Sequence, residues 1–416
     1  MSRFVKIKDI SVLNRETFKK GSFPNIIKYL DTGSLTKNKI EGFQHLNTKL
    51  DKIPSRAQRK VRINTILYST VRPNQEHFGI IEREFDNIVA STGFTTIDIT
   101  DKTVIPKFIY YLLTQKNITE YLHTIGLNSV SSYPSISPDD IGNLKFKIPD
   151  LPTQRSIAKV LSDLDAKIEL NNKINRELEA MAKTLYDYWF VQFDFPTPPS
   201  STSGIVGKPY KSSGGKMVYN EELKREIPEG WEVKELGDCI KIFDHKRIPL
   251  SSKERETYKG IITYYGATGI LDYVNDFIFN DDLILLAEDG SVMDENGFPI
   301  VQFIWGKTWV NNHAHVIQAN KKTQNEFYFQ LLKRIPVILI KTGSIQMKIN
   351  QKNLCNYKIL TPSEDLIDKF SEVSRTIRKS LINITEQNQQ LSSLRDWLLP
   401  MLMNGQVASR ASATAE

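Results

Sequence analysis

ISPDDIGNLKFKIP (Ile136 to Pro149) and INQKNLCNYKILTP (Ile349 to Pro362) are two versions of one segment, 213 positions apart (349 less 136). At that offset Ile141 matches Leu354, Asn143 matches Asn356, Lys145 matches Lys358 and Pro149 matches Pro362. The match runs on without a gap through Val160 and Val373, Ile168 and Leu381, Asn175 and Asn388, Leu178 and Leu391, and Leu185 and Leu398. Such a run, roughly fifty residues in register, marks an internal duplication. The offset is about half of the 416 residues, so the chain reads as two copies of one plan. Upstream the likeness is looser. Phe108, Leu112 and Leu113 resemble Phe327, Leu331 and Leu332, and ILYSTVRPN (Ile66 to Asn74) stands where ILLAEDGSV (Ile284 to Val292) stands in the second copy.

The better-matched part of each copy is helical. Ile157, Leu161, Leu164, Ile168, Asn171, Asn175, Leu178, Ala182, Leu185 and Trp189 alternate spacings of four and three, as a coiled-coil seam does. Phe370, Ser374, Ile377, Leu381, Ile384, Asn388, Leu391, Arg395 and Leu398 keep the same rhythm, with Pro400 expected to end the helix. At ~1.5 Å rise each helix makes a rod of roughly 45–50 Å. The simplest packing sets the two seams against each other, antiparallel, with Asn175 and Asn388 fixing register. Two similar globular units would then be related by an approximate twofold, which suits the reading of two half-sites on one duplex.

The globular parts mix strand and helix signals. β-branched runs at 62–70, 87–99, 260–265 and 309–317 predict strands, and Asp289-Gly290 and Asn296-Gly297 are candidate hairpin turns. FPTPPSSTSGIVGKPYKSSGGK (Phe195 to Lys216) reads as a linker or long surface loop. The expected organisation is a mixed α/β domain over 1–150, a spacer helix over 151–195, a linker over 196–216, a second domain over 217–362, a second helix over 363–405, and a tail over 406–416.

Composition narrows the function. A net charge of +7 and a pI near 9.0 point to an anionic partner, nucleic acid first. Cys239 and Cys355 give neither a disulfide framework nor zinc spacing and fit buried thiols in a reducing compartment. The opening MSRFVKIKDI lacks a signal peptide's apolar stretch, and no apolar run approaches the ~20 residues of a membrane span, so a cytoplasmic protein is expected. No GxxxxGK[ST], GxGxxG or HExxH motif occurs, and the one Pro-Pro, Pro198-Pro199, lies in the linker rather than in an amino-methyltransferase segment. Pro149, Asp150, Asp165 and Lys167 fit a loose nuclease pattern, but Asp165 and Lys167 lie on the predicted helix, and the second copy has Ser363, Arg378 and Ser380 there. The chain itself is therefore expected to catalyse nothing and to bind no metal or cofactor.

Phosphate contact needs Lys or Arg, and base reading favours Arg, Asn and Gln. The candidate DNA contacts are Arg56, Arg59, Lys60 and Arg62; Arg72, Asn74 and Gln75; Lys246 and Arg247; Asn311, Asn312, His313 and His315; and Gln346 with Lys348. His313 and His315 would share one strand face, a spacing open to a metal, but no cysteine lies near and the first copy has no counterpart. Aromatic anchors dominate interfaces, so Tyr186, Tyr188, Trp189, Phe190 and Trp397 are candidate partner-docking residues, unless they pack the helix ends onto their own domains.

Three stretches carry a family likeness. LPTQRSIAKVLSDLDAKIELNNKINRELEAMAKTLYDYWFVQFDF (Leu151 to Phe195) resembles the central region of the specificity subunit of type I restriction-modification systems. REIPEGWEVKELGD (Arg225 to Asp238) resembles the entry to that family's second target-recognition domain, and SLRDWLLPMLMNGQV (Ser393 to Val407) resembles its C-terminal end. The resemblance implies two target-recognition domains, each reading half of a bipartite DNA sequence, with antiparallel helices as the ruler between them. It also implies two adenine methyltransferase subunits, with S-adenosylmethionine, and motor-nuclease restriction subunits using ATP and Mg, all held outside this chain. The competing readings are a methyltransferase or nuclease acting alone and a coiled-coil scaffold.

Overall fold

The same succession of strands is laid down twice. The structure, a computed structural model, describes residues 2–19, 21–129, 133–197, 206–343 and 347–406. The chain divides into two compact units. Unit 1 is Met1–Asn171 with Gln387–Glu416, and unit 2 is Asn172–Glu386.

Unit 1 contains β1 (Arg3–Lys6), β2 (Ser11–Leu13), β3 (Ile26–Leu30), β4 (Gln44–Asn47), β5 (Ala57–Lys60), β6 (Ile66–Ser69), β7 (Phe78–Ile80), β8 (Ile88–Ser91), β9 (Phe94–Ile99) and β10 (Lys145–Ile148). They form sheets in the orders β4-β3-β8-β5 and β2-β9-β6-β7, with β1 paired to β10. Only β3 with β8 runs parallel among these pairs. Helices α1 (Pro106–Leu113), α2 (Lys116–Leu127) and α3 (Pro138–Gly142) follow, and Ser137 caps α3 through a reciprocal box with Asp140.

Unit 2 repeats this with β11 (Glu232–Glu235), β12 (Ile240–Ile242), β13 (Lys259–Tyr265), β14 (Ile270–Val274), β15 (Phe279–Asn280), β16 (Leu283–Ala287), β17 (Val301–Ile304), β18 (Lys307–Val310), β19 (Ala314–Ala319) and β20 (Lys358–Thr361). The orders are β14-β13-β18-β15 and β12-β19-β16-β17, with β11 on β20, and β13 with β18 is the parallel pair. Each of these ten strands of unit 1 therefore has its counterpart ten numbers later, and unit 1 adds a small pair of Leu35–Thr36 with Lys39–Ile40. Unit 2 also has α5 (Asn325–Leu332), α6 (Gln351–Cys355), and a small pair of Lys341–Thr342 with Lys348–Ile349.

Two of the predicted strand runs are each two strands in different sheets. The run at 87–99 breaks at Thr92–Gly93, where a Cβ on Gly93 would meet Thr32 Cγ2 at 2.7 Å. The run at 309–317 breaks at Asn311–His313, where the Asn311 side chain accepts the His313 N–H at 2.9 Å and shapes a turn. Hydrophobic patterning marks burial on both sides of such a corner but carries no sign of the corner itself. Asn296-Gly297 forms the tip of the loop joining β16 and β17, with Gly297 in the left-handed region at φ 84°.

The long helices are α4 (Leu151–Tyr186) and α7 (Glu364–Met403). Within unit 1 their segments run antiparallel: Asp165 meets Arg395 at 2.9 Å, and Asn171 donates to Gln387 at 2.7 Å and Asn388 at 2.9 Å. Within unit 2 Asn175 donates to Thr385 at 3.3 Å, and the Tyr186 and Phe370 rings sit edge to face at 5.7 Å. The polar seam positions thus bond across the pair, as register-setting residues should. Two expectations fail at the helix ends. The first helix stops short of 195: a single π turn, Asp187–Val191, closes it, and Phe193 turns left-handed at φ 67°. The widened turn lets Trp189 and Phe190 both enter the unit 2 core. The second helix does not end at Pro400 but runs through it to Met403. Leu402 is buried in the unit 1 core, with Leu398, Leu399 and Met403 packed beside it. Burial worth about 1.5–3 kcal/mol for a fully covered side chain offsets much of the ~3 kcal/mol that an interior proline costs.

The described part of the expected linker folds back. Tyr210 stacks on Phe195 at 4.7 Å, and Ser212 donates through N–H and hydroxyl to Asp194 at 2.7 and 2.6 Å. Residues 198–205, 344–346 and the tail beyond Gln406 lie outside the described residues. No helix among the described residues is long and apolar enough to cross a membrane.

Candidate nucleic-acid interface

In each unit the loop leaving the central strand, β6 or β16, is zipped to the segment that precedes α3 or α6. In unit 1 Val71 bridges Ser135, Ile136 N–H donates to the Thr70 carbonyl at 2.9 Å, and Arg72 N–H donates to the Pro134 carbonyl at 2.8 Å. In unit 2 Asp289 bridges Lys348, and Ile349 N–H donates to the Glu288 carbonyl at 2.9 Å. Side chains from these paired loops make one polar edge per unit.

The unit 1 edge brings together three of the predicted contacts. Arg56, Arg72 and Gln75, with Val71, Tyr133 and Ser135, line an open recess of about 430 Å³. Arg72 is exposed, its guanidinium lying over the Tyr133 ring at 4.8 Å, and Asn74 stands exposed on the same turn. Arg72 (φ 47°) and Glu76 (φ 56°) are both left-handed, on either side of the 3-10 turn Pro73–Gln75. Backbone strain of order 1–3 kcal/mol per residue persists only where surroundings impose it. Here the Pro134 carbonyl holds Arg72, and the Lys37 N–H, donating to the Glu76 carbonyl at 3.0 Å, holds Glu76.

Arg59, Lys60 and Arg62 do not join that recess. Arg59 follows Ala57 onto the packed face of β5, and burial lowers its pKa. Lys60 and Arg62 both pair with Glu16, and the Arg62 hydrogen bond holds that carboxyl below its ordinary pKa. Exposed pairs of this kind are weak, so both cations can still exchange Glu16 for a phosphate.

The unit 2 edge divides the predicted contacts differently. Lys246 is exposed over the Phe243 ring at 5.0 Å, Asn312 is exposed, and His313 and Lys348 share Asp289 at 2.6 and 3.4 Å. Arg247, Asn311 and His315 are structural instead. Arg247 donates to Glu288 at 2.6 Å and to the Ala314 carbonyl at 2.7 Å, with 12% of its side chain exposed. His315 is 2% exposed, its Nδ1 facing Asp244 at 2.6 Å and its Nε2 facing the Ile349 carbonyl at 2.7 Å. The expectation that His313 and His315 share a strand face fails because β19 begins only at Ala314, leaving His313 in the turn. Burial opposes charge on His315, but the bonds and charges of Asp244, Ile349 and Glu288 outweigh it and raise its pKa above the ordinary value. Burial likewise opposes ionised Asp244, yet His315, the Val316 N–H and Arg247 lower its pKa. Gln346 lies outside the described residues.

The aromatic helix end is mostly core. Tyr186, Trp189 and Phe190 are buried with Phe327 and Phe370, and Arg334 stacks on Tyr186 at 4.4 Å while bonding Asp187 at 2.7 Å. Those three cannot anchor a partner as the chain stands. Tyr188 is 38% exposed and Trp397 55% exposed, which keeps them available. The nuclease-like pattern is dissolved: Asp165 accepts the Tyr111 hydroxyl at 2.6 Å and pairs with Arg395. Tyr133, Asp244 and Glu288 were not among the sequence candidates, and Asp289 stood there only as part of a turn. Tyr133 and Asp289 carried a usable signal, since each adjoins a matched segment or a turn.

The sequence matches the family described as type I restriction modification DNA specificity domain over residues 2–180 and again over 228–386. It is 26% identical to the type I restriction enzyme HindI specificity subunit of Haemophilus influenzae, over 96% of this chain and 98% of that one. It is also 26% identical to the type I restriction enzyme MjaIX specificity subunit of Methanocaldococcus jannaschii, over 82% and 77%. A crystal structure of a type I restriction-modification system S subunit from M. genitalium shares the fold, with a TM-score of 0.55 and 16% identity over 97% of this chain and 96% of that one. With both copies matched and the ten-strand plan laid down in each, the chain belongs to the type I restriction-modification DNA specificity family.

Proposed function

We propose that this chain reads a bipartite DNA target, one half-site per unit, and carries methyltransferase and restriction subunits to it in the cytoplasm. The observation that bears most weight is the pair of equivalent loop edges. Arg56, Arg72, Asn74 and Gln75 stand on one, and Lys246, Asn312, His313 and Lys348 on the other. Each edge offers bidentate donors for base edges beside cations for phosphate, the mixture that sequence-specific contact needs. The α4–α7 pair would serve as the ruler for the gap between half-sites. S-adenosylmethionine, ATP and Mg would all be held by partner subunits. Tyr188 and Trp397 are the remaining aromatic candidates for docking the methyltransferase subunits.

The test is a genome-wide map of modified adenines in cells expressing the chain with its methyltransferase partner, against cells lacking only the chain. A fixed-gap bipartite motif that depends on the chain is the expected result. Replacing residues 217–362 by those of a relative should then change one half of the motif and leave the other. A change in both halves would overturn the division of labour, and a motif independent of the chain would overturn the reading as a whole.

A further inference from the structure

The strand pair Lys341–Thr342 and Lys348–Ile349 supplies Lys348 to the unit 2 edge, and one buried side chain ties it to the sheet beneath. His315, on β19, has an acceptor at each ring nitrogen: the Asp244 carboxylate at Nδ1 and the Ile349 carbonyl at Nε2. A neutral imidazole carries one N–H, so whichever tautomer formed would set a lone pair against one of these acceptors. Only the imidazolium satisfies both, and an unmade bond at a buried carbonyl or carboxylate is costly.

The charges close in the same state. The groups facing the ring are Asp244 and Arg247 from the turn after β12, Glu288 at 3.8 Å from the end of β16, and the Ile349 carbonyl. From α6, burial and then the charge of Asp244 push the Cys355 thiol pKa up. Asp289, His313 and Lys348 form a separate, more exposed group outside it. Arg247 and protonated His315 then balance Asp244 and Glu288, two against two. Loss of the proton leaves one buried carboxylate in excess. The surroundings also raise the ring's pKa.

We propose that His315 is a positioning residue: a buried imidazolium that fastens the Lys348–Ile349 strand to β19 and holds the unit 2 edge in its DNA-reading shape, a hold released when the ring loses its proton. This rests on the unit 2 edge being a DNA-contacting surface, as proposed above. Unit 1 has no such lock. The registers Phe94–Ser69 and Ala314–Ala287 make Thr95 the equivalent of His315, and Thr95 does not titrate.

Amide hydrogen exchange of the full chain over a pH ladder, corrected for intrinsic rates, tests the lock itself. Opening at Lys348–Ile349 should climb as pH passes through the His315 transition, by at most about tenfold per pH unit for one linked proton. His315→Gln should be open and flat across the ladder. Asp244→Asn should move the midpoint down by about one pH unit or more, because an opposite charge has been removed. If His315→Gln does not fold, the wild-type profile and the Asp244→Asn midpoint decide. A flat wild-type profile overturns the lock and leaves the bipartite reading untouched. In vitro methylation by the assembled complex at the two ends of the ladder tests the consequence. The unit 2 half-site should relax at pH values above the His315 transition while the unit 1 half-site holds. Opening without any relaxation would overturn the positioning role, whereas absence of any motif at either pH would instead defeat the proposed function.

Discussion

Residue 165 in unit 1 and residue 378 in unit 2 are the same place in the duplicated sequence, and they carry opposite charges. Asp165 accepts the Tyr111 hydroxyl from α1 and pairs with Arg395. Arg378 donates to Glu326 at 2.7 Å from α5, the counterpart of α1, and its guanidinium stacks on Phe303 at 4.3 Å and Phe329 at 4.7 Å. Both side chains fasten a long helix to the short helix beside it. The joint is kept while its chemistry is exchanged. Thr95 and His315 show the converse on the sheet: one position, with His315 bonded to Asp244 and the Ile349 carbonyl in unit 2 and no counterpart of that joint at Thr95 in unit 1. Backbone ladders fix where a contact must fall, and many side-chain pairs can then supply it.

The sharpest way to break the comparison is at the joint. Glu326 is 2% exposed, so Glu326→Ala should leave a buried guanidinium without its carboxylate and destabilise unit 2 by about 3–5 kcal/mol. Asp165→Asn, at a half-exposed pair that can still accept from Tyr111, should cost unit 1 only about 1 kcal/mol. Urea unfolding followed by unit-specific hydrogen exchange checks both. Equal losses would mean that the two joints are energetically alike despite their burial.

Next in size is the recess of unit 1. Arg72→Ala should weaken the preferred target by about 1–3 kcal/mol and relax one base position, if Arg72 reads a base. If it holds a phosphate instead, affinity falls for every sequence, and the slope of log K against log salt shrinks by about 0.9. Competition binding at two salt concentrations separates these outcomes. His315 adds a third effect with a definite sign. Its pKa is raised by folding, so its stabilisation is complete below the unfolded value and fades as pH rises through the folded one. As pH rises through that folded value, unit 2 should therefore lose stability faster than unit 1, by at most about 1.4 kcal/mol per pH unit. The smallest expected effect is that of Arg62→Ala. Its exposed partner Glu16 also pairs with Lys60, and the unfolding midpoint should not move measurably.

The duplication, the seam and the mixed α/β class were legible in the sequence because each is a matter of period and spacing. The half-buried edge residues were not. Arg247 and Lys246 are adjacent and equally basic on paper, yet one is locked on Glu288 and the other faces solvent. Their fates turn on the 3-10 turn Asp244–Lys246, which leaves Lys246 outward and brings Arg247 back onto Glu288 and the Ala314 carbonyl. Pro400 misled for a related reason: its local penalty is visible in sequence, whereas the core that receives Leu402 is assembled from residues some three hundred positions earlier. Tyr186, Trp189 and Phe190 could be core or interface by composition alone, and only packing against Phe327 and Phe370 decides.

The completion of unit 1 by the end of the chain has a kinetic consequence. Its core takes Leu398, Leu399, Leu402 and Met403 from α7, and unit 2 is threaded between those residues and Asn171. At a synthesis rate of about 5–20 residues per second, the first unit to emerge waits on the order of 10–40 s for its last helix. Ile157, Ala158 and Leu161 remain uncovered on that side during the interval. A nascent chain at this stage should be a chaperone client, and a truncated one a preferred protease substrate. Assembly of the first unit is thereby timed to the finishing of the second.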